Sequence, residues 1–368
     1  MLKVIGLMSG TSLDGIDVAL IETDGERVLG FGPAMALAYS PEERAILKAA
    51  LDAAAGMATR GNERPQELDR AERLVTEKHA EAVKAFIAGQ GLSEGEVALV
   101  GFHGQTVLHR PKDQWTVQLG MGEDLARTLG IPVAFDFRTR DVAAGGEGAP
   151  LVPLYHQALA ETLRRPGEAL AILNIGGVAN VTYLDAQGGV LAFDTGPGNA
   201  PIDDWVMRHL GVPVDANGAH AARGRVDETI VARLLLHPWF QEAPPKSLDR
   251  QDFTSAPVEG LSLEDGAATL TAFTAASVAA ARAHMAAAPA RWIVCGGGRH
   301  NPSLMKALRD YLNVSVEPCD VVGWRGDFIE AEAFAFLAAR AMRGLPLSLP
   351  TTTGVPEPMP GGRIATPD

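Results

Sequence analysis

Lys3-Val4-Ile5-Gly6-Leu7-Met8-Ser9-Gly10-Thr11-Ser12-Leu13-Asp14-Gly15-Ile16-Asp17-Val18-Ala19-Leu20-Ile21-Glu22 decides how the chain folds. Residues 3–8 read as one strand and 16–22 as a second. Small and hydroxyl residues between them suit a tight turn, so the stretch predicts a β-hairpin. Glycine lets backbone N–H groups approach an anion, and Ser9, Thr11 and Ser12 add hydroxyls. Asp14 and Asp17 are placed to position a metal or its waters. An ordinary hairpin turn carries the same residue types, so the pattern alone leaves the two readings level. The stretch is not a Walker A loop, because G-x-x-x-x-G-K-[ST] is absent.

Beyond the hairpin, residues 41–51 and 65–86 predict helices. The second keeps Leu68, Ala71, Val75, Ala82 and Phe86 at three- and four-residue spacing. Residues 97–102 and 132–137 predict buried strands, with short strands near Val107, Val117 and Leu119 and a helix over 123–129. Strands alternating with helices argue for an α/β sheet. The pattern then restarts. Residues 169–174 and 180–184 predict strands joined by Ile175-Gly176-Gly177-Val178-Ala179. This second glycine-turned hairpin suggests a faint internal duplication. A third glycine turn, Cys295-Gly296-Gly297-Gly298, follows a strand over 292–294 and precedes a helix near Asn301-Pro302. Residues 164–167 read as a surface loop and 328–343 as a strong helix. Residues 345–367 are rich in Pro, Gly and Thr, and composition alone calls them a disordered tail.

The chain has 368 residues, more than one compact core usually holds, so two domains are expected. At 46% hydrophobic and 21% charged, it has the balance of a globular protein. A net charge of −13, with no basic stripe, argues against nucleic acid as a partner. The two cysteines, Cys295 and Cys319, form no C-x-x-C motif; reduced buried thiols are the expectation. The N-terminus enters the hairpin at once, so no signal peptide is expected, and the protein reads as cytoplasmic. The alanine-rich residues 267–290 are interrupted by Arg282 and His284 and read as a buried soluble helix, not a membrane span.

Several polar groups carry chemistry. Phe193-Asp194-Thr195-Gly196-Pro197-Gly198-Asn199 follows a strand-like 190–193, and a carboxylate at a strand end beside a glycine turn suits a general base. Asn199 and Asp203 are better placed than Asp194 to cap the next helix, which favours function for Asp194. His103 and His109 invite a metal reading. Their six-residue gap, which includes Gly104, departs from metal-helix spacing, so His103 reads instead as lining a cleft or satisfied in the core. Asp136, Arg138, Arg140 and Asp141 suit either a carboxylate- or hydroxyl-bearing ligand or a structural ion-pair network. Glu330 and Glu332 fit the acidic preference of a helix N-terminus.

Together these segments resemble the anhydro-N-acetylmuramic acid kinase family. The resemblance is carried by residues 6–17, Phe102-His103-Gly104-Gln105-Thr106, Asp136-Phe137-Arg138, residues 148–153, residues 174–180, residues 193–199, Pro245-Lys246-Ser247 and Cys295 to Gly298, in order. The tail joins in through Leu349-Pro350, Thr353-Gly354 and Ile364-Ala365-Thr366-Pro367, which argues that it is ordered. Two places depart from the family pattern: Glu147 where Gln is commoner, and Leu248-Asp249 where Thr-Gly is usual.

The resemblance implies a two-domain actin-like (ribonuclease H-like) α/β ATPase fold with an interdomain ATP cleft. The expected domains are residues 1–140 with 346–368, and 141–345. ATP would be bound by Gly10, Thr11, Ser12, Leu13, Asp14, Gly15, Ile16, Asp17, Gly176, Gly177, Gly296, Gly297 and Gly298. Mg²⁺ would come with ATP, with Asp14 or Asp17 reaching it through water and no direct protein ligand. Asp194 would be the catalytic base, and His103, Gln105, Arg138, Asn180 and Glu330 would bind the sugar. The implied reaction adds water to the 1,6-anhydro bridge and phosphorylates O6, in peptidoglycan recycling. A homodimer is expected, with no membrane or nucleic-acid partner. The competing readings are an actin-like kinase of another sugar, a non-catalytic nucleotide sensor, and a metal-dependent member using His103 and His109.

Overall fold

The computed structural model describes residues 1–10, 12–58 and 64–368, with Glu94 by its backbone alone. The chain divides into two compact units, Met1–Leu159 with Phe328–Asp368, and Ala160–Asp327. The boundaries therefore fall later than 140/141 and earlier than 345/346.

The first unit opens with β1 (Leu2–Ser9), β2 (Gly15–Thr23) and β3 (Val28–Ala38), an antiparallel run. It continues through α1 (Pro41–Ala55), α2 (Gln66–Gly89), β4 (Leu99–Arg110), β5 (Trp115–Leu119), α3 (Gly122–Leu129), β6 (Val133–Phe135), α4 (Thr139–Ala143) and α5 (Pro153–Ala160). Ser40 starts α1 with a capping box: its hydroxyl accepts from Glu43 N and the Glu43 carboxylate accepts from Ser40 N. Ile5 and Leu7 share one core with Leu47, Val75 and Phe86 of α1 and α2. The apolar run of β1 follows from cover on both faces.

The second unit repeats this plan. β7 (Leu170–Ile175), β8 (Val178–Leu184) and β9 (Val190–Pro197) run antiparallel, joined later by α6 (Ala200–Leu210), α7 (Glu228–Leu235) and α8 (Leu263–Ala280). β10 (Arg291–Cys295), α9 (Pro302–Leu312) and β11 (Ser315–Pro318) complete it, with β10 parallel to both β7 and β11. The sheet order is β11-β10-β7-β8-β9. In the first unit the corresponding order is β6-β4-β1-β2-β3, with the same parallel and antiparallel pairs. The duplication suggested by two glycine hairpins is thus a duplication of topology. Every residue from Gly266 to Val278 in α8 is buried, which is why that helix lacks a polar stripe. Among the described residues, no helix is long and apolar enough to cross a membrane.

The chain returns to the first unit with α10 (Ile329–Met342), β12 (Pro346–Ser348), β13 (Met359–Pro360) and β14 (Arg363–Ala365). A methyl group on Gly6 would lie 1.8 Å from Ala331 O, and one on Gly101 2.2 Å from Phe334 O. The backbone of α10 rests directly on β1 and β4, so this helix belongs to the first unit. The compositional reading of the tail as disordered fails for a long-range reason. β14 pairs with β6, and the buried Asp141 carboxylate accepts from Thr353 Oγ1 at 2.7 Å. Two further differences concern strands. β4 is one continuous strand through Arg110, and β3 was not anticipated, because Gly30, Gly32 and Pro33 break its alternation. Pro33 is tolerated there because β3 is an edge strand.

Candidate active site

In the first unit the β1–β2 turn is fastened by its carbonyls. Gly10 O accepts from Leu13 N at 3.2 Å and from Gln105 Nε2 at 3.2 Å; Leu13 O accepts from Arg44 Nε at 2.8 Å; Asp14 O accepts from Tyr39 N at 3.1 Å. Beneath the turn, buried Ser9 donates to Gln105 Oε1 at 2.6 Å and meets the Tyr39 hydroxyl at 3.0 Å. Burial pushes the Tyr39 hydroxyl up to about 12. Leu13 takes a positive φ of 57°, and a methyl group on Gly15 would meet Leu37 O at 2.4 Å. Ser12 is exposed, Ile16 is buried and Asp17 is half-buried. Asp14 is exposed and ion-paired with Arg44. Thr11 lies outside the described residues.

The same unit joins His103, Arg138 and Glu330. Arg138 donates through Nε and Nη2 to His103 Nε2 at 3.2 and 3.0 Å, and through Nη1 to Gly148 O at 2.6 Å. These bonds use three of the five N–H groups of a guanidinium. Both His103 and Arg138 lie against the Phe334 ring of α10. Burial and then the Arg138 charge hold His103 well below its ordinary range, so it stays neutral and accepts. Burial brings Arg138 down to about 10, opposed by Glu330 and Asp141, so it stays charged at neutral pH. Glu330 keeps an exposed surface, yet the protein crowding its carboxyl pushes its pKa up while Arg138 pulls it back. A metal on His103 Nε2 would face a guanidinium, which removes the metal reading for that nitrogen. His109 contacts Thr116 Oγ1 instead, at 3.1 Å. Gln105 commits its amide to Ser9 and Gly10, a bracing position rather than one aimed at a ligand.

In the second unit the sheet sets Cys295, Asn174, Asn180 and Asp194 side by side across β10, β7, β8 and β9. Directly opposed residues share a face, so Asn180 flanks Asp194. The Asp194 carboxylate does not cap α6; its Oδ2 accepts from Leu248 N at 2.8 Å, and Asp194 N donates to Lys246 O at 3.0 Å. Asn199 occupies the N-cap position, but its side chain makes no capping bond. The segment after Asp194 lies on the β7–β8 turn: Gly198 N donates to Gly177 O at 2.9 Å and Asn199 N to Gly176 O at 2.8 Å. A methyl group on Gly198 would meet Gly176 O at 2.3 Å. One unit therefore brings together Asp194, Asn180 and Gly176-Gly177. Gly296, at φ 73°, abuts Asn174 Oδ1, and Gly298 abuts Ile175, while Gly297 faces open space.

Sequence reasoning missed the loop over 246–250 as the clamp on Asp194; only the resemblance at Pro245-Lys246-Ser247 pointed there. It also missed buried Arg299, which braces the third glycine turn by donating to Gly296 O, Asp320 and Asp327. The departure at Leu248-Asp249 has a structural account. Leu248 packs on the Trp239, Phe240 and Phe253 cluster, and Asp249 and Asp252 bond each other's turn, Asp249 Oδ1 taking Gln251 N.

The family model described as anhydro-N-acetylmuramic acid kinase matches residues 2–366. Curated proteins of that description from Methylobacterium nodulans and Rhodopseudomonas palustris (strain BisB18) are each 54% identical, covering all of both chains. One from Acidiphilium cryptum is 54% identical over all of this chain and 99% of its own.

Proposed function

The chain belongs to the anhydro-N-acetylmuramic acid kinase family, and from that premise we infer that it opens the 1,6-anhydro bridge of 1,6-anhydro-N-acetylmuramic acid and phosphorylates O6 at the expense of ATP. The observation that carries this reading is the placement of Asp194, clamped by Leu248 N at the end of β9 beside the Gly176-Gly177 turn.

Water attacks C1 of the sugar while Asp194 accepts one of its protons. The C1–O6 bond breaks as O6 takes the γ-phosphoryl group, and the bond from that phosphorus to ADP breaks. The products are N-acetylmuramic acid 6-phosphate, ADP and a proton. The phosphates are assigned to Gly10, Thr11, Ser12, Leu13, Asp14, Gly15, Ile16 and Asp17 and to Gly176 and Gly177, the adenosine to Gly296, Gly297 and Gly298. Arg138 offers its remaining N–H groups to the lactyl carboxylate, His103 orients it, and Glu330 and Asn180 take sugar hydroxyls. Gln105 passes from sugar contact to holding the first turn. Mg²⁺ belongs to the substrate as the counter-ion of ATP. Asp14, ion-paired with Arg44, and Asp17 are the two aspartates assigned to reach it through water. A cytoplasmic homodimer acting in peptidoglycan recycling completes the reading.

The test is ADP release from MgATP with the anhydro sugar and, in parallel, free N-acetylmuramic acid. Turnover of the anhydro sugar supports the reading. Turnover of the free sugar alone would keep a kinase and remove the bridge-opening step.

A further inference from the structure

The loop that clamps Asp194 continues for two residues past Leu248 and ends in a guanidinium at the second glycine turn. A methyl group built on Gly177 would meet Arg250 Nε at 3.6 Å. Arg250 is half-exposed, and its Nη2 donates to Asp204 on α6 at 2.9 Å. An ion pair open to water contributes little, so it holds the side chain over the turn without locking it there. The Asp249–Asp252 turn fixes the backbone from which Arg250 projects. One short loop therefore does two things: its Leu248 amide sets the carboxylate of Asp194, and its next side chain but one lays the Nε edge of a guanidinium against Gly177.

We propose that Arg250 is a further catalytic residue, an arginine supplied within the chain that donates to the γ-phosphoryl group during its transfer. This rests on the assignment of Gly176-Gly177 to the ATP phosphates. As the bond from γ-phosphorus to ADP breaks and the bond to O6 forms, negative charge spreads over the phosphoryl oxygens. A planar guanidinium matches two of those oxygens at once, which a lysine does not. Asp204 keeps the guanidinium at the turn between turnovers.

The experiment compares Arg250→Ala, Arg250→Lys, Asp204→Asn and Gly177→Ala, reading kcat and KM by ADP release and Kd for a fluorescent ATP analogue. Arg250→Ala should lower kcat by about 10³-fold, the scale of an arginine acting on a transferring phosphoryl group, with Kd for nucleotide changed little. Unchanged nucleotide Kd also certifies that the variant is folded. Arg250→Lys should recover only part of the loss, added guanidinium should restore part of Arg250→Ala turnover, and Asp204→Asn should keep most of the activity. If Arg250→Ala holds kcat within threefold, or raises nucleotide Kd with kcat intact, the proposal fails. It fails equally if Asp204→Asn loses as much as Arg250→Ala, since the ion pair would then be the role. Gly177→Ala tests the premise separately: its Cβ would sit in ordinary contact, 3.6 Å from its nearest neighbours, so the fold accepts it and nucleotide binding should weaken only where phosphate approaches. Unchanged binding in Gly177→Ala would overturn the premise and the proposal with it.

Discussion

Arg138 is held in place by the protein before any ligand arrives. Three of its N–H groups are spent on His103 and Gly148, which fixes the plane of the guanidinium. Two N–H groups remain, and in the proposed function they are the donors offered to the sugar's carboxylate. Arg138→Lys keeps the charge and loses the fork. It should raise KM for the anhydro sugar by about 10–100-fold and leave the nucleotide Kd alone. An unchanged sugar KM would place the lactyl carboxylate elsewhere. His103 was legible as a polar residue at a strand end, but its partner was not. Its neutrality depends on burial and on a guanidinium 35 residues away in sequence, and neither has a local signal. Gln105 shows the same limit: its bonds to Ser9 and Gly10 have no local signal, and a buried amide that braces a turn and one that contacts a sugar look alike in a one-dimensional string.

At the scale of elements, the close seat of α10 is the strongest constraint. It needs small residues on both sides, Gly6 and Gly101 on the sheet and an alanine-rich helix above them. Gly101→Val should destabilise the first unit by about 3 kcal/mol, read as a lower denaturation midpoint, because Phe334 O leaves no room for a side chain. An unchanged midpoint would mean that α10 does not sit there. Both glycine hairpins, the two long N-terminal helices and α10 itself were readable from local periodicity and turn residues. β3 was not, because an edge strand interrupted by Gly30, Gly32 and Pro33 keeps no clean alternation. The tail was not readable from composition either: its order comes from β14 pairing with β6 and from Thr353 meeting the buried Asp141, contacts made across more than two hundred residues.

At the scale of the whole molecule, the two units repeat one strand order, and each contributes a glycine hairpin at the same place in its sheet. The first unit also sets a pH dependence. His79 is buried in α2 beside Phe102, and burial lowers it to about 4. Below its ordinary value of 6.5, the unfolded chain binds a proton that the folded chain refuses until about pH 4. The stabilisation is therefore complete above about 6.5 and is lost as pH falls, by about 2 kcal/mol between pH 7 and pH 5. His79→Phe should flatten that part of the stability curve; an identical slope in the variant would contradict it.

The central claim is that one water and one phosphoryl group enter the same sugar at different atoms. Turnover of the anhydro sugar in ¹⁸O-labelled water, with mass spectrometry at early times, tests it directly. The account requires a single label on C1 of N-acetylmuramic acid 6-phosphate and none in its phosphate group. A label appearing in phosphate, or a phosphorylated sugar carrying no label while its bridge stays closed, would contradict it.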